Sequence, residues 1–177
     1  TGNTLTGTGG ALTFTNITAA GTYTIVATNT TTGCIETMNG NAVVSIDPLP
    51  TQFNVSGGGS YCTGGAGVDI TLSGSQSGAN FVYELYLGGA PTGNTLTGTG
   101  GALTFTNITT AGTYTIVAEN TTTGCTETMN GNAVVSIDPL PTQFNVGGGG
   151  SYCTGGTGVD ITLSGSQSGA NFVRSEE

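Results

Sequence analysis

The residues of this sequence that could do chemistry are four cysteines and ten carboxylates, beside one arginine, no lysine and no histidine. Without histidine or lysine there is no ordinary general base to activate a serine or cysteine nucleophile. Paired carboxylates could still hydrolyse glycosides. The middle of the chain holds Asp69, Glu84, Glu119, Glu127 and Asp138. We interpret them as solvated surface acids, with Asp69 and Glu119 on outward faces and Glu127 in a loop, and predict no catalytic residue and no enzyme.

The charge balance restricts the partners of the protein. The formal net charge is −9, and the only cation is Arg174. Nucleic-acid binding needs cations to neutralise phosphates, and attraction to anionic lipid needs them as well, so both kinds of partner are excluded. No apolar run approaches the length of about 18 residues that a membrane-spanning helix needs. The sequence therefore predicts neither nucleic-acid binding nor direct membrane insertion of this segment.

An internal repeat organises the chain. Residues 1–82 match residues 92–173 without a gap at an offset of 91, and only five positions differ. A period of this length is too long for most solenoid repeats and fits a complete immunoglobulin-sized domain of roughly 100 residues. The differing pairs are Ala19/Thr110, Thr28/Glu119, Ile35/Thr126, Ser56/Gly147 and Ala66/Thr157.

Two proline triplets indicate where one repeat ends and the next begins. Proline cannot donate to a central strand ladder, so Pro48-Leu49-Pro50 and Pro139-Leu140-Pro141 are predicted to be stiff linkers. We therefore expect three parts: the C-terminal half of a repeat (1–47), a complete repeat (48–138) and the N-terminal half of the next repeat (139–177), whose tail 174–177 diverges.

Within the complete repeat, apolar and polar residues alternate. A period of two with one apolar face is typical of half-buried antiparallel strands. Glycine pairs and Asn130-Gly131 lie between these stretches and predict turns. We expect six or seven strands, and the fold class is all-β: tandem Ig-like antiparallel β-sandwich repeats, with Tyr114 either at a sandwich corner or simply in the core. The inward residues are Val68, Ile70, Leu72, Phe81, Tyr83, Leu85, Leu87, Leu103, Phe105, Tyr114, Ile116, Ala118, Ala133, Val135 and Ile137.

The cysteines occur twice per period. The complete repeat contains only Cys62 and Cys125, so we predict a disulfide between them, with Cys34 and Cys153 pairing with neighbouring repeats or chains. A metal site and reduced buried thiols are the alternatives, but the absence of histidine and of a Cys-x-x-Cys motif argues against the metal. Disulfides persist in oxidising surroundings, which favours an extracellular location.

Other ligand sites have weaker support in the sequence. Calcium is the one cofactor that the carboxylates allow, and its candidate ligands Asp47, Asp69 and Asp138 are widely separated. A sugar site would need an aromatic platform, for which Tyr61 and Tyr86 are the candidates. The glycine runs lack the lysine and the helix of a phosphate-binding loop, and we interpret them as a flexible or bulged strand edge.

Four short motifs of the repeat resemble a known family. They are Tyr61-Cys62-Thr63-Gly64-Gly65, Val68-Asp69-Ile70-Thr71-Leu72, Ala111-Gly112-Thr113-Tyr114-Thr115 and Thr123-Gly124-Cys125. In this order they resemble repeats of the giant gliding-motility and adhesin-type surface proteins of Bacteroidetes, although the last motif replaces an acidic Asn-Gly-Cys. The resemblance implies an Ig-like or PKD-like repeat of a secreted bacterial cell-surface protein.

The leading hypothesis for function is structural. Nearly identical repeats joined by stiff linkers suit an extracellular filament, stalk or adhesin in which length matters more than local chemistry. The alternative is an adhesive module that recognises a glycan or surface weakly in each repeat and gains strength through avidity. The expected partners are neighbouring repeats of one chain, or other chains if segment 142–173 of one completes segment 1–47 of the next by strand complementation.

Overall fold

The computed structural model describes residues 3–176, so Thr1, Gly2 and Glu177 of the predicted ranges lie outside the described residues. The chain is all-β, as predicted, and residues 3–176 contain no helix. The central unit, residues 51–138, holds the strands β5 Val55–Cys62, β6 Val68–Leu72, β7 Gly78–Leu87, β8 Ala90–Gly98, β9 Leu103–Ile108, β10 Gly112–Asn120, β11 Cys125–Thr128 and β12 Ala133–Asp138.

The parts on either side of the central unit, residues 3–47 and 142–176, are called the flanking segments. They contain only strands of three residues, which form separate two-stranded sheets. These strands are β1 Gly21–Tyr23, β2 Val26–Thr28, β3 Ile35–Thr37, β4 Ala42–Val44, β13 Val146–Gly148 and β14 Ile161–Leu163.

The eight strands of the central unit form one sheet with the order β8-β7-β10-β12-β5-β6-β9, and β11 also pairs with β10. All pairs are antiparallel except β5 with β12, which run parallel. The two strands at the ends of this order, β8 and β9, also contact each other. The sheet therefore curls into a nearly closed layer around one core.

A glycine run allows β5 to take part in both halves of this sheet. Residues 55–57 pair with β6, whereas residues 58–62 pair with β12. The change of partner falls between Gly57 and Gly58, whose φ values are +90° and +77°, in the left-handed region that favours glycine. A Cβ on Gly58 would lie 2.5 Å from the carbonyl oxygen of Val134. The run is thus a specific kink in a paired strand and not a flexible edge.

The predicted alternation is confirmed in the central unit, with one exception. Its inward residues form a single buried core, and seven side chains have less than 2% exposure: Tyr83, Phe105, Ile70, Leu72, Leu85, Ile116 and Val135. Ile137 is 42% exposed, contrary to the prediction. β12 continues beyond Val135, which lies opposite Gly112 at the start of β10, so Ile137 has a paired neighbour only in β5.

The predicted turns differ in kind. Gly88 and Gly89 form a two-residue hairpin between β7 and β8, and both have positive φ, as a type I′ turn requires. Asn130-Gly131 is not a hairpin turn. It separates two strands that lie in line along the same neighbour, because β11 before it and β12 after it both pair with β10.

The flanking segments repeat the pairing of the central unit. Gly21 lies opposite Val44, as Gly112 lies opposite Val135 one period later. Likewise Val146 lies opposite Leu163, as Val55 lies opposite Leu72. Their apolar side chains are nevertheless exposed, because each segment carries only part of the strands that enclose the core in the central unit.

Candidate functional site

The strand directions give the central unit two distinct ends. Because β5 and β12 run parallel and β10 runs against them, Cys62, Asp138 and the start of β10 lie at one end, here called the exit end. The turn between β10 and β11, with Cys125, lies at the opposite end, here called the entry end. The chain enters the unit at the entry end and leaves it at the exit end.

The incoming linker is fixed against the entry end. Pro50 is buried, the Thr51 N–H donates to Oε1 of Gln76 at 2.6 Å, and Nε2 of Gln52 donates to Oε1 of Glu127 and to the Thr128 carbonyl, both at 2.9 Å. Pro48, Pro139 and Pro141 are exposed. The linker is therefore held by side chains in addition to the stiffness of proline.

The sequence did not indicate this docking, because glutamine has no preference that would single it out. The contact recurs one period later, where the Thr142 N–H donates to Oε1 of Gln167 at 2.7 Å.

The exit end is closed by backbone and side-chain hydrogen bonds. The carbonyl of Asp138 accepts from the Thr63 N–H at 2.9 Å and from its hydroxyl at 3.1 Å. The Tyr61 hydroxyl donates to the carbonyl of Thr109. The Tyr114 hydroxyl donates to the carbonyl of Thr110 at 2.8 Å, four residues upstream. A tyrosine at a sandwich corner makes a bond of this kind, and Tyr114 is at the same time a buried member of the core.

The two cysteines of the central unit are not brought together. Both are free, with Cys62 at the exit end and Cys125 at the entry end. Between Gly112 and Asn120 alone β10 advances about 26 Å at roughly 3.3 Å per residue, whereas bridged Cα atoms lie within about 7 Å. The predicted Cys62–Cys125 disulfide is thus incompatible with this fold, because the spacing of cysteines along the chain does not reveal which end each occupies. Cys34 and Cys153 are free and exposed in the flanking segments.

Three carboxylates of the central unit accept hydrogen bonds, two of them from the backbone. Asp69 Oδ1 accepts from the N–H of Asn107. Asn107 has a left-handed φ of 58° and lies where the register between β6 and β9 shifts. Glu84 Oε1 accepts from the Gly93 N–H at 3.0 Å. Glu127, predicted in a loop, lies in β11 and accepts from Gln52. These contacts are structural roles.

The calcium candidates do not converge. Asp47 lies beside Cys125 at the entry end, Asp138 lies at the exit end, and Asp69 is engaged with Asn107. Among residues 3–176 no three thiol, imidazole or carboxyl groups gather as metal ligands would. The three candidate calcium ligands therefore lie apart from one another.

The surface of the central unit includes clefts at the exit end and on the outer face. One of about 260 Å³ opens at the exit end beside Leu87, Thr110 and Tyr114. A smaller one of about 50 Å³ on the outer face is lined by Val82, Glu84, Tyr86, Val117, Glu119 and Thr126. Of the two tyrosines considered for a sugar platform, Tyr61 is bound to Thr109 and Tyr86 lines the smaller cleft.

Positions that differ between repeats lie mostly at the two ends. Glu119 and Thr126 face each other across β10 and β11 near the entry end, where Thr28 and Ile35 face each other one period earlier. Ala66 lies in the loop between β5 and β6 and Thr110 precedes β10, both at the exit end. Ser56 lies within β5, and its hydroxyl lies 2.8 Å from that of Thr71. Variation is therefore not confined to one tip.

Two buried tyrosines have perturbed acidity. Burial raises the pKa of the Tyr83 phenol above 10.0, although the N–H of Gln76 donates to its oxygen and lowers it in part. Burial also raises the pKa of Tyr114, and a hydrogen bond with the side chain of Thr110 lowers it in part. Both effects oppose ionisation in the folded unit.

No protein-family model matches the chain, and no curated protein matches it at a significant level. Within residues 3–176 no helix is long and apolar enough to cross a membrane.

Proposed function

We propose that the chain is a stretch of tandem Ig-like β-sandwich repeats and that each repeat acts as a structural spacer in a long extracellular, cell-surface filament, stalk or adhesin. The observation that carries the proposal is the polarity of the central unit. Its chain enters at one end beside Cys125 and leaves at the other beside Asp138. Successive copies joined in this way extend along one direction instead of folding back on each other.

The Ig-like assignment is supported by the way β5 divides the sheet. Its first part belongs with β6 and β9, and its second part belongs with β12, β10, β7 and β8. Two layers that share a first strand, with the tyrosine corner at Tyr114, are features of Ig-type sandwiches. The near closure of the sheet follows from that shared strand.

The terminal strands are arranged to resist tension along the array. When a stalk is pulled, the linker at Pro50 and the linker at Pro139 are drawn apart. Because β5 and β12 are parallel neighbours paired from Val134↔Gly58 to Asp138↔Cys62, this force slides one strand along the other. The hydrogen bonds of all five pairs then bear the load together, whereas strands peeled from one end would lose their bonds one at a time.

The proposal is tested by the length of arrays. Proteins with two, four and six copies of residues 48–138 are measured by small-angle X-ray scattering. We expect the maximum dimension to rise linearly, by roughly 35 to 45 Å for each Ig-sized repeat. A maximum dimension that grows much more slowly than the number of copies would mean that repeats fold back, and would refute the spacer.

The adhesive alternative has one supporting observation. Glu119 and Thr126, which differ between repeats, line the smaller cleft together with Tyr86. If this face binds glycans, an array of repeats should be retained on a glycan surface and Tyr86→Ala should abolish that retention, while Tyr61→Phe, outside this cleft, should not. Equal behaviour of both variants would reject this face as the binding site.

A further inference from the structure

Cys62 is held beside the carbonyl group of Asp138 at the exit end. The two residues are partners in the register of β5 and β12. The next residue, Thr63, donates both its N–H and its hydroxyl to that carbonyl, at 2.9 and 3.1 Å. The Cys62 side chain is exposed there. Its thiol is therefore positioned at the point where the chain leaves the unit.

Cys125 occupies the corresponding place at the entry end. Its Sγ lies 3.9 Å from the carbonyl oxygen of Asp47. Asp47 is the counterpart of Asp138 one period earlier, and both residues precede a Pro-Leu-Pro linker. The thiol of Cys125 thus lies against the last residue of the preceding repeat.

Because the sequence repeats every 91 residues, the contact of Cys125 with Asp47 is expected again one repeat later, at Asp138. Each repeat ends in an aspartate, Asp138 in the central unit. Its carbonyl lies beside Cys62 of the same repeat. By analogy with Asp47 and Cys125, it also lies beside the Cys125 counterpart of the following repeat. We propose that a disulfide joins each repeat to the next, from Cys62 to the Cys125 counterpart one repeat further along. The inference rests on the proposed function, because it requires repeats in tandem.

The same pairing explains why no two cysteines of the chain are neighbours. The partner of Cys62 lies one period beyond Cys125, and the partner of Cys125 lies one period before Cys62. Cys34 is the counterpart of Cys125 one period earlier, and Cys153 is the counterpart of Cys62 one period later. Every cysteine therefore has a partner in an adjacent repeat and none within its own.

Bond formation needs an oxidant, for which a small disulfide such as oxidised glutathione suffices. One cysteine thiolate attacks a sulfur of the small disulfide, forms a mixed disulfide and releases one glutathione thiolate, which takes up the proton that the cysteine lost. The second cysteine thiolate then attacks the protein sulfur of the mixed disulfide and releases the second glutathione thiol. Two cysteine thiols are oxidised and one small disulfide is reduced to two thiols.

The bond has a mechanical consequence for the stalk. Tension that reaches Cys62 along β5 can cross to the next repeat without passing through residues 63–124 of the first. In that next repeat it continues from the Cys125 counterpart along the strands that match β11 and β12. The interior of a repeat can then lose its structure without releasing its full chain length.

The test uses the chain extended so that the repeat beginning at residue 142 is completed. Residue 173 is followed by the sequence of residues 83–91 and then by that of residues 1–47, which adds one cysteine in the Cys125 position. The isoleucine that follows this cysteine, as Ile35 follows Cys34, distinguishes its peptide from that of Cys125 by mass. The folded protein is oxidised with glutathione disulfide and digested at acidic residues, because a single arginine makes tryptic cleavage uninformative.

We expect Cys62 to be joined to the added cysteine in most molecules. Cys62→Ser should lower this product to background, whereas Cys153→Ser should leave it unchanged. The 177-residue chain without the extension should form no disulfide within the chain. A Cys62–Cys125 bond in either protein, or free thiols throughout the oxidised extended chain, would overturn the inference.

Scattering from the same samples separates this inference from the spacer proposal. An elongated extended chain with free thiols rejects the disulfide and leaves the spacer standing. A compact chain that carries the bond between Cys62 and the added cysteine supports the disulfide and rejects the spacer.

Discussion

The central unit and the flanking segments have nearly the same sequence and different burial. Ile116 is fully buried, whereas Ile25, its counterpart one period earlier, is 48% exposed. Ile70 is fully buried, and its counterpart Ile161 is 61% exposed. The local registers are the same in both regions. Local pairing is therefore encoded in short stretches of sequence, but a core forms only where all strands of one repeat are present.

The largest expected effect that tests this comparison comes from the core. Ile116→Ala should lower the free energy of unfolding by about 2–5 kcal/mol, because it leaves a cavity among fully buried side chains. The matched change Ile25→Ala should alter it by less than about 0.5 kcal/mol, as an exposed site does. Urea unfolding followed by circular dichroism measures both. Equal effects would mean that the flanking segment is also packed.

A smaller difference is expected at the kink of β5. Gly58→Ala introduces a Cβ 2.5 Å from the Val134 carbonyl oxygen at a φ of +77°, whereas Gly149, its counterpart, has a φ of +74° and no atom within 4 Å. Strain of this kind costs about 1–3 kcal/mol. We expect that loss in the urea unfolding of Gly58→Ala and little change in the same transition for Gly149→Ala, because Gly149 lies outside the packed central unit. If Gly58→Ala left the free energy of unfolding unchanged, the change of strand partner at this residue would be contradicted.

The tyrosine corner provides a third matched pair. The hydroxyls of Tyr114 and Tyr23 donate to carbonyls four residues upstream, both at 2.8 Å, but only Tyr114 is buried. Tyr114→Phe should lower the thermal stability by about 1 kcal/mol, since the Thr110 carbonyl loses a part-buried hydrogen bond. Tyr23→Phe should have no measurable effect on the same melting transition. If both changes are silent, the corner bond does not stabilise the unit.

The smallest effect concerns alkaline pH. Burial raises the pKa of Tyr83 and Tyr114 in the folded unit, so above pH 10 the unfolded chain binds fewer protons than the folded one and stability falls as pH rises. The contribution is fully present below pH 10.0, the ordinary value, and is lost as the pH passes the raised pKa. Urea midpoints between pH 8 and 12 should decline less steeply for Tyr83→Phe. Parallel curves for both proteins would exclude Tyr83 as the source.

The sequence by itself determined the all-β fold, the period of 91 and nearly every inward residue of the central unit. The fold class and the inward residues follow from the alternation of apolar and polar residues over a few neighbouring positions. The period follows from comparing the two copies of the sequence. The glycine run shows the limit of such local reasoning: its composition predicted a flexible or bulged edge, whereas its φ values and close contacts make it the kink at which β5 changes partner inside the sheet.

Only the tertiary structure decided which features meet in space. It separated Cys62 from Cys125 by the length of a strand, exposed Ile137 beyond the end of β10 and buried Pro50 against the unit that follows it. The physical reason is that strand direction and register depend on pairings between residues far apart along the chain. The spacing of two cysteines in sequence does not specify those pairings, and so it cannot specify which thiols become neighbours.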